Sequence, residues 1–420
     1  MNQLEYYLEC VDCGIKYQSI EVLYICKKCE GLLDIKYDYE KIAEKISVKT
    51  WQNRPFTLWR YREIFPVEDY SNIITLNEGG TSLQKCERLE KILNLGNICV
   101  KNEGENPTGS FKDRGMTVGI TKAIELGFHT VACASTGNTS ASLAAYAARA
   151  GLRSIVLIPS GKIALGKLTQ AIIHGAHIVQ IKGNFDEALR AVFQLTQSNP
   201  NIYLLNSVNP YRIEGQKSIA YEIYTQLGNA PDNILLPVGN AGNISAIWKG
   251  FVELQKLDLI TNLPHMIGIQ AENAAPIVTA FKKRRENIRP TLHPETIATA
   301  IRIGSPISWK KALNAVYDSK GFMEKVTDDE IISAQQLLAR QEGIFVEPAS
   351  AASIAGLKKI VDMNLIEKDD KTVCIVTGHG LKDPDIVIKT SNLNLIEIDP
   401  LQDSIANALE QKTIAMERSL

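Results

Sequence analysis

Ile98-Cys-Val-Lys-Asn-Glu-Gly-Glu-Asn-Pro-Thr-Gly-Ser-Phe-Lys-Asp-Arg-Gly115 sets the pattern for most of this chain. A short apolar run ends in a loop of Gly, Asn and Pro, and a helix is expected from near Ser110. Similar runs recur at Thr130–Ala134, Ser154–Ile158, His177–Lys182, Ile202–Asn206, Asn233–Val238, His265–Ala271 and Thr372–Thr377. They are rich in Val and Ile and mostly lack alternation, as expected for strands covered on both faces. Helical segments of about 12–18 residues separate most of them, so the fold class is α/β. Ligands of open α/β sheets sit beyond the C-terminal strand ends, where helices begin. The strand-to-helix junctions are therefore the places to look for chemistry.

The 420 residues suffice for two or three units with large cores. Basic residues (46) nearly balance acidic ones (47), so neither nucleic acid nor a membrane surface is an expected partner. Four of the eight cysteines, Cys10, Cys13, Cys26 and Cys29, crowd the first 29 residues. The two Cys-x-x-Cys pairs stand twelve residues apart, a little short of common zinc-ribbon spacing. Ile20–Ile25 and Leu32–Tyr37 alternate like short strands. Residues 1–40 thus read as a ribbon-like module that either holds structural zinc or keeps reduced or redox-pairing thiols. Cys86, Cys99, Cys133 and Cys374 are scattered among apolar neighbours, which points to a reducing, cytoplasmic setting. The N-terminus lacks a signal-peptide pattern, and no apolar run is long enough to span a membrane. Trp51, Trp59 and Phe65 are the expected anchors of the mixed stretch that follows, and residues 391–420 read as a tail ending in an exposed helix.

Four junctions stand out. In the first, Ser110 and Asp113 have capping-box spacing, and Lys112 falls in the first helical turn. A helix dipole disfavours a cation there, which would help keep a nucleophilic amine neutral. The alternative is a solvated lysine at a helix start. In the second, Ser135-Thr-Gly-Asn-Thr139 could hold a carboxylate or phosphate, or simply cap a helix. In the third, Gly239-Asn-Ala-Gly-Asn243 lets backbone N–H groups converge on an anion but lacks dinucleotide-fingerprint spacing. In the fourth, Asn206, Ser207 and Arg212 suit a phosphate, although Arg212 could equally serve a surface ion pair. Gly161–Lys167 matches a P-loop, yet Leu168 stands where the Mg²⁺-binding hydroxyl belongs, so it is rejected. Two phosphate-like sites plus one activated lysine fit a phosphorylated aldehyde cofactor acting on a phosphorylated amino acid, and pyridoxal phosphate meets that description.

Residues 75–390 resemble the threonine synthases, fold-type II pyridoxal-phosphate enzymes of the tryptophan synthase β-like architecture. The resemblance is carried by Glu105-Asn-Pro-Thr-Gly-Ser-Phe-Lys-Asp-Arg-Gly115, Ser135-Thr-Gly-Asn138, Asn206-Ser-Val-Asn-Pro210, Gly239-Asn-Ala-Gly-Asn243 and Val376-Thr-Gly-His-Gly-Leu-Lys-Asp383. The cysteine module is similar to the N-terminal ribbon of longer family members. The resemblance implies two lobes, a large one from residues 41–124 and 211–390 and a small one from 125–210, with the cofactor between them. It implies that Lys112 holds pyridoxal phosphate as a Schiff base and later acts as general base. Asn138 would meet the cofactor's 3′-oxygen, Gly239, Asn240, Ala241, Gly242 and Asn243 its phosphate, and Thr377 its pyridine nitrogen. Ser135, Thr136 and Thr139 would hold the substrate carboxylate; Asn206, Ser207, Arg212 and Asn240 are candidates for its phosphate. The implied reaction turns O-phospho-L-homoserine and water into L-threonine and phosphate, in a homodimer. A threonine dehydratase or cysteate synthase would use the same lysine, and a non-catalytic relative would keep the same fold.

Overall fold

The computed structural model describes residues 5–160, 165–183 and 185–391. The rejected P-loop residues 161–164 and the expected tail helix beyond residue 391 lie outside them. Residues 1–383 form one compact unit and residues 384–420 a second, of which α15 (Pro384–Thr390) is described.

The chain begins with a three-stranded antiparallel sheet of β1 (Tyr6–Cys10), β2 (Lys16–Gln18) and β3 (Leu33–Tyr37), in the order β2-β1-β3. Ile20–Ile25 is not a strand: apart from one bridge from Ile25 to Leu32, it leaves the sheet. Its alternation was misleading because Ile20 and Val22 face solvent, while Tyr24 reaches into the body and its hydroxyl accepts from Leu204 N–H at 2.8 Å. Two short helices follow, α1 (Tyr39–Lys45), capped by Asp38, and α2 (Val48–Gln52), capped by Ser47. Trp51, Trp59 and Phe65 are buried, and Trp59 Nε1 donates to Thr117 Oγ1 at 2.9 Å.

The central sheet holds six strands in the order β12-β11-β10-β13-β5-β4. These are β4 (Leu83–Lys85), β5 (Asn97–Asn102), β10 (Asn233–Pro237), β11 (His265–Ala271), β12 (Phe322–Val326) and β13 (Lys371–Val376). All pair in parallel except β4, which closes one edge antiparallel to β5. A second, all-parallel sheet has the order β8-β7-β6-β9: β6 (Thr130–Ala134), β7 (Arg153–Pro159), β8 (His177–Ile181) and β9 (Ile202–Leu204). The eight runs singled out above are all strands, and β10 is buried throughout, as unalternated sequence requires. The short β4 and the mixed Phe322–Val326 carry too little apolar sequence to announce themselves.

Helices cover both sheets. After α3 (Glu87–Leu93) come α4 (Lys112–Glu125), α5 (Asn138–Ala150), α6 (Leu165–Ile173) and α7 (Phe185–Ser198). Next are α8 (Pro210–Gln216), α9 (Ser218–Leu227), α10 (Gly242–Lys256) and α11 (Pro276–Lys282). The last of this unit are α12 (Trp309–Asp318), α13 (Asp328–Glu342) and α14 (Pro348–Asp362). The start of α4 departs from expectation. The helix begins at Lys112, Ser110 makes no side-chain cap, and its hydroxyl is buried without a partner. Asp113 is drawn elsewhere, accepting from Thr108 N–H at 2.7 Å, Thr108 Oγ1 at 2.6 Å and Ser142 Oγ at 2.6 Å. Helices α4 and α8 cross at glycines: a Cβ on Gly215 would stand 1.8 Å from Arg114 O, and one on Gly115 would stand 2.9 Å from Arg212 O.

Candidate active site

Three neighbouring parallel strands, β10, β13 and β5, must present their C-terminal ends on one edge. From β5 comes the loop to Lys112, from β13 Thr377, and from β10 the loop Gly239–Asn243. In the second sheet, neighbours β6 and β9 deliver Ser135–Thr139 and Asn206–Arg212. The two loops of the first group nearest Lys112 are stitched together. Phe111 N–H donates to Thr377 O at 3.0 Å and His379 N–H to Gly109 O at 2.9 Å.

Burial pulls the Lys112 amine down to about 7, helped by the Arg212 charge and opposed by Glu347. The helix start alone does not account for this; the enclosing structure does. The backbone of Phe111 is itself in the helical region, and the Lys112 ammonium position lies 3.6 Å from the Phe111 ring centroid. Arg212 is buried, its Nε has no partner, and burial lowers it to about 10. Its aliphatic stem lies along α4, 3.6 Å from where a Gly119 Cβ would be.

Asn138 opens α5, and its Nδ2 donates to Glu347 Oε1 at 3.0 Å and Oε2 at 3.1 Å. Glu347 was missed as a site residue. It occupies the N-cap of α14 ahead of Pro348, yet its carboxylate does not cap the helix. An acid before a helix-starting proline was the available sequence signal. Burial raises its carboxyl above the ordinary range. Thr377 is buried, with its Oγ1 3.0 Å from Ser350 Oγ, which also accepts from Gly378 N–H at 2.7 Å. Ser350 had no readable signal, being one small residue in an Ala-rich helix.

In the Gly239–Asn243 loop, Ala241 holds the left-handed conformation (φ 66°) just before α10. Both amide atoms of Asn243 are buried without a partner, as is Gln216 Oε1, which faces Gly242. Asn240 O accepts from Ser308 N–H at 3.1 Å. In the turn after β6, the Ser135 hydroxyl accepts from Gly137 N–H at 3.3 Å, and Ser135, Thr136 and Thr139 are half-buried. Asn206 is occupied differently. Its amide pairs with both the N–H and the carbonyl of Ala134, at 2.9 and 3.0 Å, extending the β6–β9 ladder by one rung. Ser207 lies beside it and is half-buried.

Buried donors and acceptors without a protein partner can be satisfied by a ligand or by ordered water. Gln216 and Asn243 stand at the glycine-containing start of α10, Ser110 lies just before α4, and the Lys112 amine is lowered by burial and by the buried Arg212 guanidinium. These residues fit a phosphorylated aldehyde.

The four N-terminal cysteines bring all their sulfurs within 4.8 Å of one another. Cys10 and Cys29 are 3.4 Å apart and Cys13 and Cys26 3.6 Å. Tetrahedral zinc thiolates, with Zn–S of about 2.3 Å, would set edges of about 3.8 Å, so the donor set fits structural zinc.

Residues 74–378 match the family described as pyridoxal-phosphate dependent enzyme. A threonine synthase of Methanocaldococcus jannaschii is 59% identical over 91% of this chain and 94% of its own length. One from Methanosarcina acetivorans is 54% identical, covering 96% of this chain and 98% of that protein. The chain therefore belongs to the threonine synthase family of pyridoxal-phosphate-dependent enzymes. The fold is also that of tomato threonine deaminase isoform 2, with a TM-score of 0.64 at 20% identity over 81% of this chain and 96% of that one. Maize serine racemase gives 0.63 at 19% identity, covering 74% and 91%.

Proposed function

We propose that the protein converts O-phospho-L-homoserine and water to L-threonine and phosphate. The observation that carries this reading is one parallel-sheet edge that brings together the Lys112 loop, Thr377 and the Gly239–Asn243 loop with its unpartnered Asn243, with the Lys112 amine lowered by burial and by Arg212. Pyridoxal phosphate, when bound, supplies the electron sink for removing protons from carbon.

Lys112 is the residue through which the aldehyde is held, and its free amine is the base for the rest of the turnover. Nζ takes the substrate's Cα proton and then a Cβ proton. Phosphate leaves from Cγ and takes up a proton, another proton returns at Cγ, the hydroxyl of water adds at Cβ, and the last proton goes back to Cα. The loop Gly239–Asn243 holds the cofactor phosphate, with Asn243 and Gln216 as its buried polar contacts. Asn138, oriented by Glu347, would hold the cofactor's 3′-oxygen. Thr377 would meet the pyridine nitrogen with a neutral hydroxyl, which cannot protonate the ring as an acid would and so would moderate the sink. Ser135, Thr136 and Thr139 hold the substrate carboxylate. For the substrate phosphate, Arg212 is the leading residue because its Nε is unpartnered; Ser207 and Asn240 assist. Asn206, engaged with Ala134 through one N–H and one lone pair, positions this loop and keeps one amide N–H for the phosphate.

The protein is expected to act in the cytoplasm as a homodimer with the lobe division given above. Supporting the setting, all eight cysteines are free, and among the described residues no helix is long and apolar enough to cross a membrane. The test is phosphate release from O-phosphohomoserine with threonine measured in parallel. Equal yields are expected, both abolished in Lys112→Ala. Deamination of threonine with no turnover of phosphohomoserine would assign the protein to the dehydratases instead.

A further inference from the structure

Among the body elements that the cysteine module contacts is α8, the helix that carries Arg212. Tyr211 and Glu214 lie three residues apart on α8, on one face, while Arg212 and Gly215 share the adjoining face against α4. Both residues of the outer face are held by the module. The Tyr211 ring meets Tyr6 of β1 edge-on with centroids 6.4 Å apart, and its hydroxyl donates to Ser19 O at 3.4 Å. Glu214 Oε2 accepts from Tyr37 of β3 at 2.5 Å.

The grip extends to the phosphate loop's helix. Lys249 of α10 bonds Glu214 at 2.5 Å, the Ile35 carbonyl at 2.6 Å and Asp34 at 3.3 Å. Asp34 also binds Lys311 of α12 at 2.9 Å. Lys217, buried, closes the network between Glu214 at 2.6 Å and Glu253 at 2.9 Å. Arranging this many buried charges is stabilising only when every member is paired, so the network has one low-energy geometry. A simple adhesive face would need only apolar residues.

The register adds direction. In the β1–β3 pair, Tyr6 stands opposite Tyr37 at one end and Cys10 opposite Leu33 at the other. The cysteine cluster therefore closes the far end of the two strands whose near end holds α8.

We propose that β1 and β3 of the cysteine module are a positioning device for Arg212: through Tyr211 and Glu214 they set its guanidinium against the substrate phosphate. This rests on the reading of Arg212 as the phosphate ligand. Tyr37 touches no reacting group; it is a positioning residue that acts through Glu214.

The test uses purified holoenzyme and four forms: wild type, Tyr37→Phe, Arg212→Ala and the double variant. The measurements are KM and kcat for O-phosphohomoserine, the inhibition constant of inorganic phosphate, and visible absorbance of the bound cofactor. A hydrogen bond to a charged group is lost in Tyr37→Phe, so KM and the phosphate inhibition constant should each rise about 5-fold. kcat and cofactor absorbance should stay at wild-type values. On the Arg212→Ala background, Tyr37→Phe should add nothing, because its effect runs through the missing guanidinium. An unchanged KM in Tyr37→Phe, a fall in kcat with KM constant, or full additivity in the double variant would each overturn the proposal. Those outcomes leave the Arg212 reading intact if Arg212→Ala itself raises KM. If Arg212→Ala leaves KM and phosphate inhibition unchanged, the reading of Arg212 fails and the positioning proposal falls with it. Asp34→Asn, which loosens Lys249 and Lys311, should repeat the Tyr37→Phe pattern and guards against a single misfolded variant.

Discussion

At Lys112, burial and two charged neighbours decide the chemistry. Burial lowers the amine, the Arg212 charge lowers it further, and Glu347 raises it. In cofactor-free protein the neutral amine should therefore appear as pH rises through about 7, not through the ordinary lysine range. The rate of recapturing pyridoxal phosphate should climb with a midpoint near there, read by absorbance in stopped-flow mixing. A midpoint above roughly 9 would mean the amine is solvated, since free lysine titrates near 10.4. Glu347→Gln removes the anion that stabilises the charged amine, so the midpoint should move down, while one carbonyl oxygen remains to accept from Asn138. Between the depressed and the ordinary lysine pKa the unfolded chain binds more protons, so Lys112 makes cofactor-free protein more stable as pH rises through that window. Local sequence left Lys112 open between a solvated lysine and a nucleophile, and only the family resemblance of its motif singled it out. Its two charged neighbours come from residues 100 and 235 positions further along, and nothing local announces them.

Among the elements, the crossing of α4 and α8 matters most. Gly115 and Gly215 allow backbone to meet backbone, which brings the Arg212 helix close to the Lys112 helix. Gly215→Ala would drive a methyl into the Arg114 carbonyl, and Arg114 cannot shift freely. Its guanidinium is buried between Glu103, at 2.5 Å, and Glu222, at 2.6 Å. The substitution should cost about 3 kcal/mol or more, at the upper end for an overpacked site. Urea unfolding would show a lower midpoint with an unchanged slope; an unchanged midpoint would mean that the crossing relaxes easily. Eight of the ten strands in the two larger sheets were readable because strands packed in a parallel sheet carry short unbroken apolar runs, whereas β4 and β12 lack them. Ile20–Ile25 misled because its alternation served exposure and one long-range tyrosine contact instead of a strand ladder.

For the whole molecule, Asp34 of the cysteine module pairs with Lys249 and Lys311 of the body, and Tyr37 bonds Glu214, so module and body should unfold together. Protein purified without added metal is expected to hold about one zinc per chain, by metal analysis. Chelation should lower the midpoint of one cooperative thermal transition, because a ligand bound only to the folded state stabilises all that folds with it. A separate early transition, with the main midpoint unmoved, would show that the module folds independently of the body.

By itself the amino-acid sequence determined the α/β class, the eight principal strands, the junctions where chemistry could sit and the four-cysteine cluster. Each is written in local spacing: apolar runs, turn residues, paired Cys-x-x-Cys. Tertiary structure alone decided that Asn206 extends a strand ladder, that Glu347 orients Asn138, and that the cysteine module grips the helix bearing Arg212. Those are pairings between residues far apart in the chain, and they arise because buried polar groups must find partners wherever packing brings them.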